Sequence, residues 1–367
     1  MKKFNRTVEN PYEGESSSME DIYTILDEVC GASCEGSILA SVVHVEGSAY
    51  KKEGAMMIFK KDGSQIGMLS AGCLEEDLAA RIEHHGLGRQ SETIVYDMRG
   101  SNEISWGEGS GCNGVIHVLV EPINSQLIND LSRLKSILDN GHSVTMIKHL
   151  PSDSQPSTYL FITEDNHTFG NLSGKVTEEL RGLVDQTVSS IDKSFNTCVS
   201  SLGEKIYIHH IQPKSRLIVF GAGKDAIPLV SFASKTGFSV TVADWRPALC
   251  NHSNFPEANE LILGFPEEII NQIEITARDY VVILTHNFQK DKEILSALIH
   301  KDIKYLGVLG SSKRTKRLLG TKKLPPQIKT PIGLSIGADG PEQIAISIVA
   351  ELIQFSKKRE MKKVFVS

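Results

Sequence analysis

Apolar side chains recur along this chain at two periods. Between residues 19 and 30, Ile22, Ile25, Leu26 and Val29 fall at helical spacing. Residues 37–44 then read as a strand and 55–59 as another, with Asp62-Gly63 turning the chain into 65–69. A further strand covers 115–120 and closes at Glu121-Pro122. Residues 127–138 are amphipathic, and Asn140-Gly141 stops that helix. Short strands are expected at 144–147, 159–162 and 205–209, with a polar loop over 151–157.

The pattern changes after Gln212. Short apolar runs at 216–220, 239–243, 280–284 and 305–309 alternate with helical stretches, and Pro341 opens a last helix reaching about residue 358. Strands alternating with helices imply a parallel sheet covered on both faces. The expected fold class is α/β: a C-terminal Rossmann-type, doubly wound parallel sheet plus N-terminal α/β domains with mixed strands. The expected divisions are an arm (1–18), a cysteine-loop domain (19–124), a middle α/β subdomain (125–212) and the Rossmann-type domain (213–367).

Composition narrows the function. The chain is 40% hydrophobic and 23% charged, enough to build a sizeable core. A formal net charge of −6 argues against a nucleic-acid binder. Residues 1–10 lack the apolar segment of a secretory signal, and no apolar run approaches the ~18 residues that a membrane span needs. Six cysteines over 367 residues do not form a disulfide scaffold, so free thiols in a reducing, cytoplasmic setting are expected. No spacing suggests a structural zinc site.

Candidate chemistry lies in both halves. RLIVFGAGKDA sets Gly221, Gly223 and Ala226 as G-x-G-x-x-A after a strand and before a helix. Glycines allow the tight turn and the close approach of a pyrophosphate, and the helix N-terminus faces the anion. Asp244 ends the next strand, 23 residues after Gly221, where a ribose-binding carboxylate is expected. Pro228 requires that the helix begin late or bend there. Thr285-His286-Asn287 follows the third strand, with Asp291 beyond; Gly310-Ser311-Ser312-Lys313-Arg314 follows the fourth. Ligands of open parallel sheets sit outside the strands' carboxyl ends, so these polar ends converge on one crevice. The bland alternative, a capped helix with a solvated basic face, is preferred for Lys313 and Arg317.

In the N-terminal half, Cys73 lies in SAGCLEEDL, at the expected start of a helix carrying Leu74, Leu78 and Ile82 on one face and an Asp77/Arg81 pair. Free amides there favour a thiolate. Cys112 lies in GEGSGCNG, a glycine-rich loop able to bring backbone close to a ligand. A lone cysteine is as often a small buried hydrophobe. Cys30, Cys34, Cys198 and Cys250 read as structural.

At these residues the chain resembles the XdhC/CoxI family, accessory factors of xanthine dehydrogenase and related molybdenum hydroxylases. The matching segments are 47–57 (GSAYKKEGAMM), 67–78, 110–122, 220–226, 242–250, 284–291, 305–314 and 331–352. The chain departs at Lys224-Asp225, where a histidine-type residue is common in the family. The resemblance implies a protein that binds the molybdenum cofactor (molybdopterin) as cargo. It would hold the cofactor while a cysteine desulfurase supplies its terminal sulfur, then deliver it to the large subunit of the apo-xanthine dehydrogenase. A homodimer is compatible with this reading. Soft thiolates suit molybdenum, making Cys73 and Cys112 the candidate molybdenum ligands. The crevice residues Gly221, Gly223, Asp244, Thr285, His286, Gly310, Ser311, Ser312 and Arg314 would hold the pterin phosphate, a dinucleotide extension or a separate nucleotide such as NAD(P). Two alternatives stay open: an NAD(P)-dependent oxidoreductase using His286 and Asp291, and a purely interacting component of a dehydrogenase complex. Oxidation of xanthine by this chain itself is not expected, because it lacks an iron–sulfur cysteine pattern.

Overall fold

The structure is a computed structural model describing residues 18–70, 72–99, 113–152, 156–172, 178–189, 194–199 and 204–361. The chain divides into two compact units, residues 1–213 and 214–367.

The first unit runs α1 (Ser18–Gly31), β1 (Ile38–Ser48), β2 (Met56–Phe59), β3 (Gln65–Gly67), α2 (Cys73–His85), β4 (Glu92–Asp97), β5 (Asn113–Pro122), α3 (Ser125–Asp139), β6 (Val144–His149), β7 (Thr158–Thr163), β8 (Thr168–Gly170), α4 (Glu178–Ser189), β9 (Ser194–Val199) and β10 (Glu204–Ile211). These strands form two five-stranded sheets, β3-β2-β1-β5-β4 and β8-β7-β6-β10-β9. Both are wholly antiparallel rather than mixed.

Alternation along β1 explains the layering. Ala40 and Val42 pack with Leu74 and Leu78 of α2, whereas Leu39 and Val43 face α1 and α3. Val42 and Val43 are adjacent yet point to opposite cores, and the β1–β5 register shifts just beyond Val42. On the far side of α1 and α3, Met146, Phe161 and Tyr207 of the second sheet complete the same cluster. Leu180 of α4 covers the other face of that sheet, over Ile147, Ile206 and Ile208.

The second unit runs β11 (Ser215–Phe220), α5 (Ala226–Lys235), β12 (Phe238–Asp244), β13 (Glu260–Leu263), α6 (Pro266–Gln272), β14 (Tyr280–Ile283), α7 (Phe288–Leu298), β15 (Tyr305–Val308), α8 (Ser312–Leu319), β16 (Ile328–Lys329) and α9 (Pro341–Met361). Its sheet is parallel, ordered β13-β12-β11-β14-β15-β16. Counted within the unit this is the 3-2-1-4-5-6 order of a Rossmann fold, with the switch point between β11 and β14. One core joins the sheet to α5 and α9 and another joins it to α6, α7 and α8, so both faces are covered. The helix after the glycine loop starts at Ala226, which puts Pro228 in its first turn, where no backbone donor is lost.

Candidate functional site

The glycine loop leaves β11 at the switch point. Gly221 has φ 121°, and a Cβ there would lie 2.6 Å from the carbonyl oxygen of Leu284 at the end of β14. Glycine is thus required by the approach of the neighbouring strand, whatever the loop binds. Ala222 N–H donates to Asp244 Oδ2 at 2.7 Å. Arg246 N–H and Nε donate to Asp244 Oδ1, and Arg246 Nη2 donates to Oδ2. Burial pushes the Asp244 carboxyl up, but donation from Arg246 and Ala222 outweighs it and leaves the group below its usual range. Asp244 therefore stands at the expected strand end, but only 1% exposed and tying the loop to β12.

A second buried carboxylate does the same for the other strand ends. Asp291, 1% exposed, accepts from Thr285 Oγ1 at 2.5 Å and from Arg314 Nη2 at 2.5 Å. Arg314 Nη1 also donates to the carbonyl of Leu309. Ser311 caps α8 by accepting from Arg314 N–H, and Ser312 Oγ donates to the carbonyl of Thr330 at 3.0 Å. Gly310 takes φ 112°, against the Arg314 side chain. The structure thus brings the predicted crevice residues to one end of the sheet, and their hydroxyls and the Arg314 guanidinium bond largely to one another.

The rim of the crevice is more open. His286 adopts φ 56°, uncommon for a residue with a Cβ, and its Nε2 lies 2.5 Å from Asp225 Oδ2. Asp225 is the N-cap residue of α5, yet makes no side-chain cap bond. At the departure from the family pattern, a carboxylate sits at this helix N-terminus and engages a histidine from the next strand end. The Arg246 guanidinium lies 4.5 Å from the Trp245 ring centroid. Sequence reasoning missed Asp225, Trp245 and Arg246 as site residues. For Arg246 a signal exists, since an arginine just past the second strand commonly meets a ribose phosphate.

In the first unit, α2 begins at Cys73, as expected. Gly72 takes φ 123° before it. Glu75, 8% exposed, accepts from the N–H groups of Leu69 at 2.9 Å and Ser70 at 2.6 Å, from Gly72 N–H, and from Ser70 Oγ. Burial raises the Glu75 carboxyl, but these donors win and hold it below its ordinary value. Glu75 shapes the loop carrying Cys73, and a Glu three residues after the helix-entry glycine is its overlooked signal. Asp77 pairs with Arg81 at 2.6 Å as the spacing predicts, and accepts from Tyr96 Oη, fixing α2 to β4. Cys112 lies outside the described residues. Cys34 and Cys250 are buried and Cys30 is exposed.

Among the described residues no group of three or more His, Cys, Asp or Glu could hold a metal ion, and no helix is long and apolar enough to cross a membrane.

Comparison with known proteins agrees with this architecture. Residues 217–352 match the XdhC Rossmann domain, 125–212 the BH1974-like central domain, and 32–97 the XdhC and CoxI family. The chain is 43% identical over 340 residues to a Bacillus subtilis protein named as a probable xanthine dehydrogenase component, covering 93% of this chain and 99% of that protein. It is 25% identical to the molybdenum cofactor insertion chaperone PaoD of Escherichia coli, covering 87% and 83% of the two chains. A crystal structure described as a xanthine dehydrogenase from Bacillus halodurans superposes with a TM-score of 0.77 at 42% identity, covering 92% of this chain and 96% of that one. With near full-length identity above 40% and both its ends matching the family, this chain belongs to the XdhC and CoxI family.

Proposed function

We propose that the protein is an accessory factor for a molybdenum hydroxylase of the xanthine dehydrogenase type. It binds the molybdenum cofactor as cargo, supports its sulfuration with a cysteine desulfurase, and delivers it to the apo-enzyme. The observation that carries this reading is the near full-length similarity to proteins named for that enzyme and for cofactor insertion. Two features support it. Cys73 is the first residue of α2, and Glu75, three residues after Gly72, binds the N–H groups of Leu69 and Ser70 just before it; a thiolate is a soft ligand that suits molybdenum. The Rossmann switch point offers a crevice rimmed by His286 and Arg246 for the phosphate-bearing end of the cofactor.

The competing reading, a nicotinamide-dependent oxidoreductase, loses its main support. Both carboxylate oxygens of Asp244 are engaged by Arg246, and one also by Ala222, so the ribose acceptor is already committed. Asp291 is likewise bonded to Thr285 and Arg314, and His286 pairs with Asp225 instead.

Producing the chain in cells that make the cofactor, and measuring bound molybdenum and pterin after purification, tests the proposal. Near-stoichiometric pterin is expected, with molybdenum lost in Cys73→Ala or Cys112→Ala. Absence of both from the wild-type protein, with the two variants activating apo-hydroxylase normally, would defeat it. Calorimetric titration with NAD and NADP should show no binding at ~1 mM, a concentration that reaches Kd values worth only about 4 kcal/mol.

A further inference from the structure

The carboxyl ends of α7 and α8 enclose a groove of about 410 Å³, lined by Lys292, His300 and Arg317 beside Ile299, Leu319 and Pro325. In a parallel sheet the helix after each strand returns to the amino edge, so this groove lies at the opposite end of the unit from the crevice. Among the described residues, no acidic one lines it. The surrounding sequence is strongly basic. Residues 301–330 contain nine Lys or Arg and a single acid, Asp302, in a chain whose net charge is −6.

Helix electrostatics accounts for only part of this charge. Lys316 and Arg317 lie in the last turn of α8, where cations are favourable. Lys322 and Lys323 follow the helix, and α7 has no basic residue in its own last turn. Among the described residues, Lys292, Lys316, Arg317, Lys322 and Lys323 are exposed and none forms an ion pair. Arg314, by contrast, is committed to Asp291. Several like charges held together without counter-charges repel one another, and an acidic partner relieves that repulsion while raising the association rate. The half-buried Ile299, Leu319 and Pro325 add an apolar floor inside the cationic rim, the anatomy of a protein interface rather than of a phosphate pocket.

We propose that this groove is the docking surface for an acidic segment of the molybdenum hydroxylase that receives the cofactor, an apolar side chain seated between its carboxylates. The identity of that partner rests on the function proposed above. Docking at the amino edge of the sheet leaves the crevice at the carboxyl edge uncovered.

The test uses the full chain and the purified apo-hydroxylase of the same source, with binding followed by biolayer interferometry. The wild-type affinity should fall about tenfold between roughly 50 and 300 mM salt, as expected for screened surface charges. The variant carrying Lys292→Glu and Arg317→Glu, the two lysine or arginine side chains lining the groove, should bind at least ~10-fold more weakly, with the corresponding Gln variant intermediate. Cofactor content of both variants should match wild type. Unchanged binding by the charge-reversed variant would overturn the proposal, as would salt-independent binding, or capture of a single-stranded RNA oligomer with no binding of the hydroxylase. Salt-sensitive, charge-dependent docking by a wild-type protein that carries no pterin would sustain the surface and sink the cofactor role; a loaded protein indifferent to the reversal would do the opposite.

Discussion

The loop before α2 and the loops of the Rossmann crevice solve one problem with different chemistry. Each is a glycine-containing strand-to-helix turn whose shape is held by a buried carboxylate. In the crevice the carboxylates have cationic partners: Asp244 is paired with Arg246 and Asp291 with Arg314. At α2, among the described residues, Glu75 has no cation at all. It accepts from three backbone N–H groups and the Ser70 hydroxyl. A charge-paired clamp leaves a half-buried arginine without its counter-charge when it is broken, whereas a clamp of neutral dipoles leaves only unpaired amides. The crevice should therefore be the stiffer site and the Cys73 loop the more easily opened one.

Four measurements can break or sharpen that contrast. The largest effect is expected from Asp291→Ala, which strands Arg314 and frees Thr285. Urea unfolding of the second unit should lose about 3–4 kcal/mol, the lower part of the cost of removing one partner of a buried pair, because Arg314 is only half-buried. Next is Gly221→Ala, which forces a Cβ to 2.6 Å from the Leu284 oxygen at a left-handed φ. About 3 kcal/mol is expected by the same measurement. Gly223→Ala is its control, because the clashing atom there is only the movable tip of Asp225, and stability should change little.

Glu75→Gln should cost less, about 1–2 kcal/mol, yet open the loop enough to speed alkylation at Cys73, scored by mass spectrometry. The same clamp predicts a pH dependence. Because the folded Glu75 carboxyl sits below its ordinary value of 4.5, its contribution is present above that pH and is lost as pH falls through the folded value. Amide exchange at Leu69 and Ser70 should accelerate in that acid window, and unaltered protection there would break the comparison. The smallest effect is Ser311→Ala, which removes the cap of α8 for about 1 kcal/mol, read as a small drop in thermal midpoint.

Much of the second unit is legible in the sequence because its strands are short apolar runs punctuated by glycine and polar ends. Four strands and the late start of α5 read directly from the residues. The strand Glu260–Leu263 does not, because Glu260 and Leu263 face solvent and only Ile262 is buried. In the first unit, Glu92–Asp97 is hidden for the same reason, since of its residues only Tyr96 is buried. The candidate site is legible as positions but not as partnerships. Sequence places Asp244 and Asp291 at the right strand ends. That each is consumed by an arginine, two and 23 residues away respectively, depends on how the turns fold back. Glu75 has only its spacing from Gly72 as a signal, since its three amide donors carry no side-chain signature.

The helix α3 has a consequence for how this family can be recombined. It opens the segment matching the central domain, 125–212, yet Leu127, Leu131, Leu134 and Leu138 share a core with Ile25 of α1 and Leu39 of β1. A chimaera that transplants the central segment from a relative would thus import half of its neighbour's interior. Such grafts should succeed only when the donor's four leucine positions keep their volume, or when α1 travels with them.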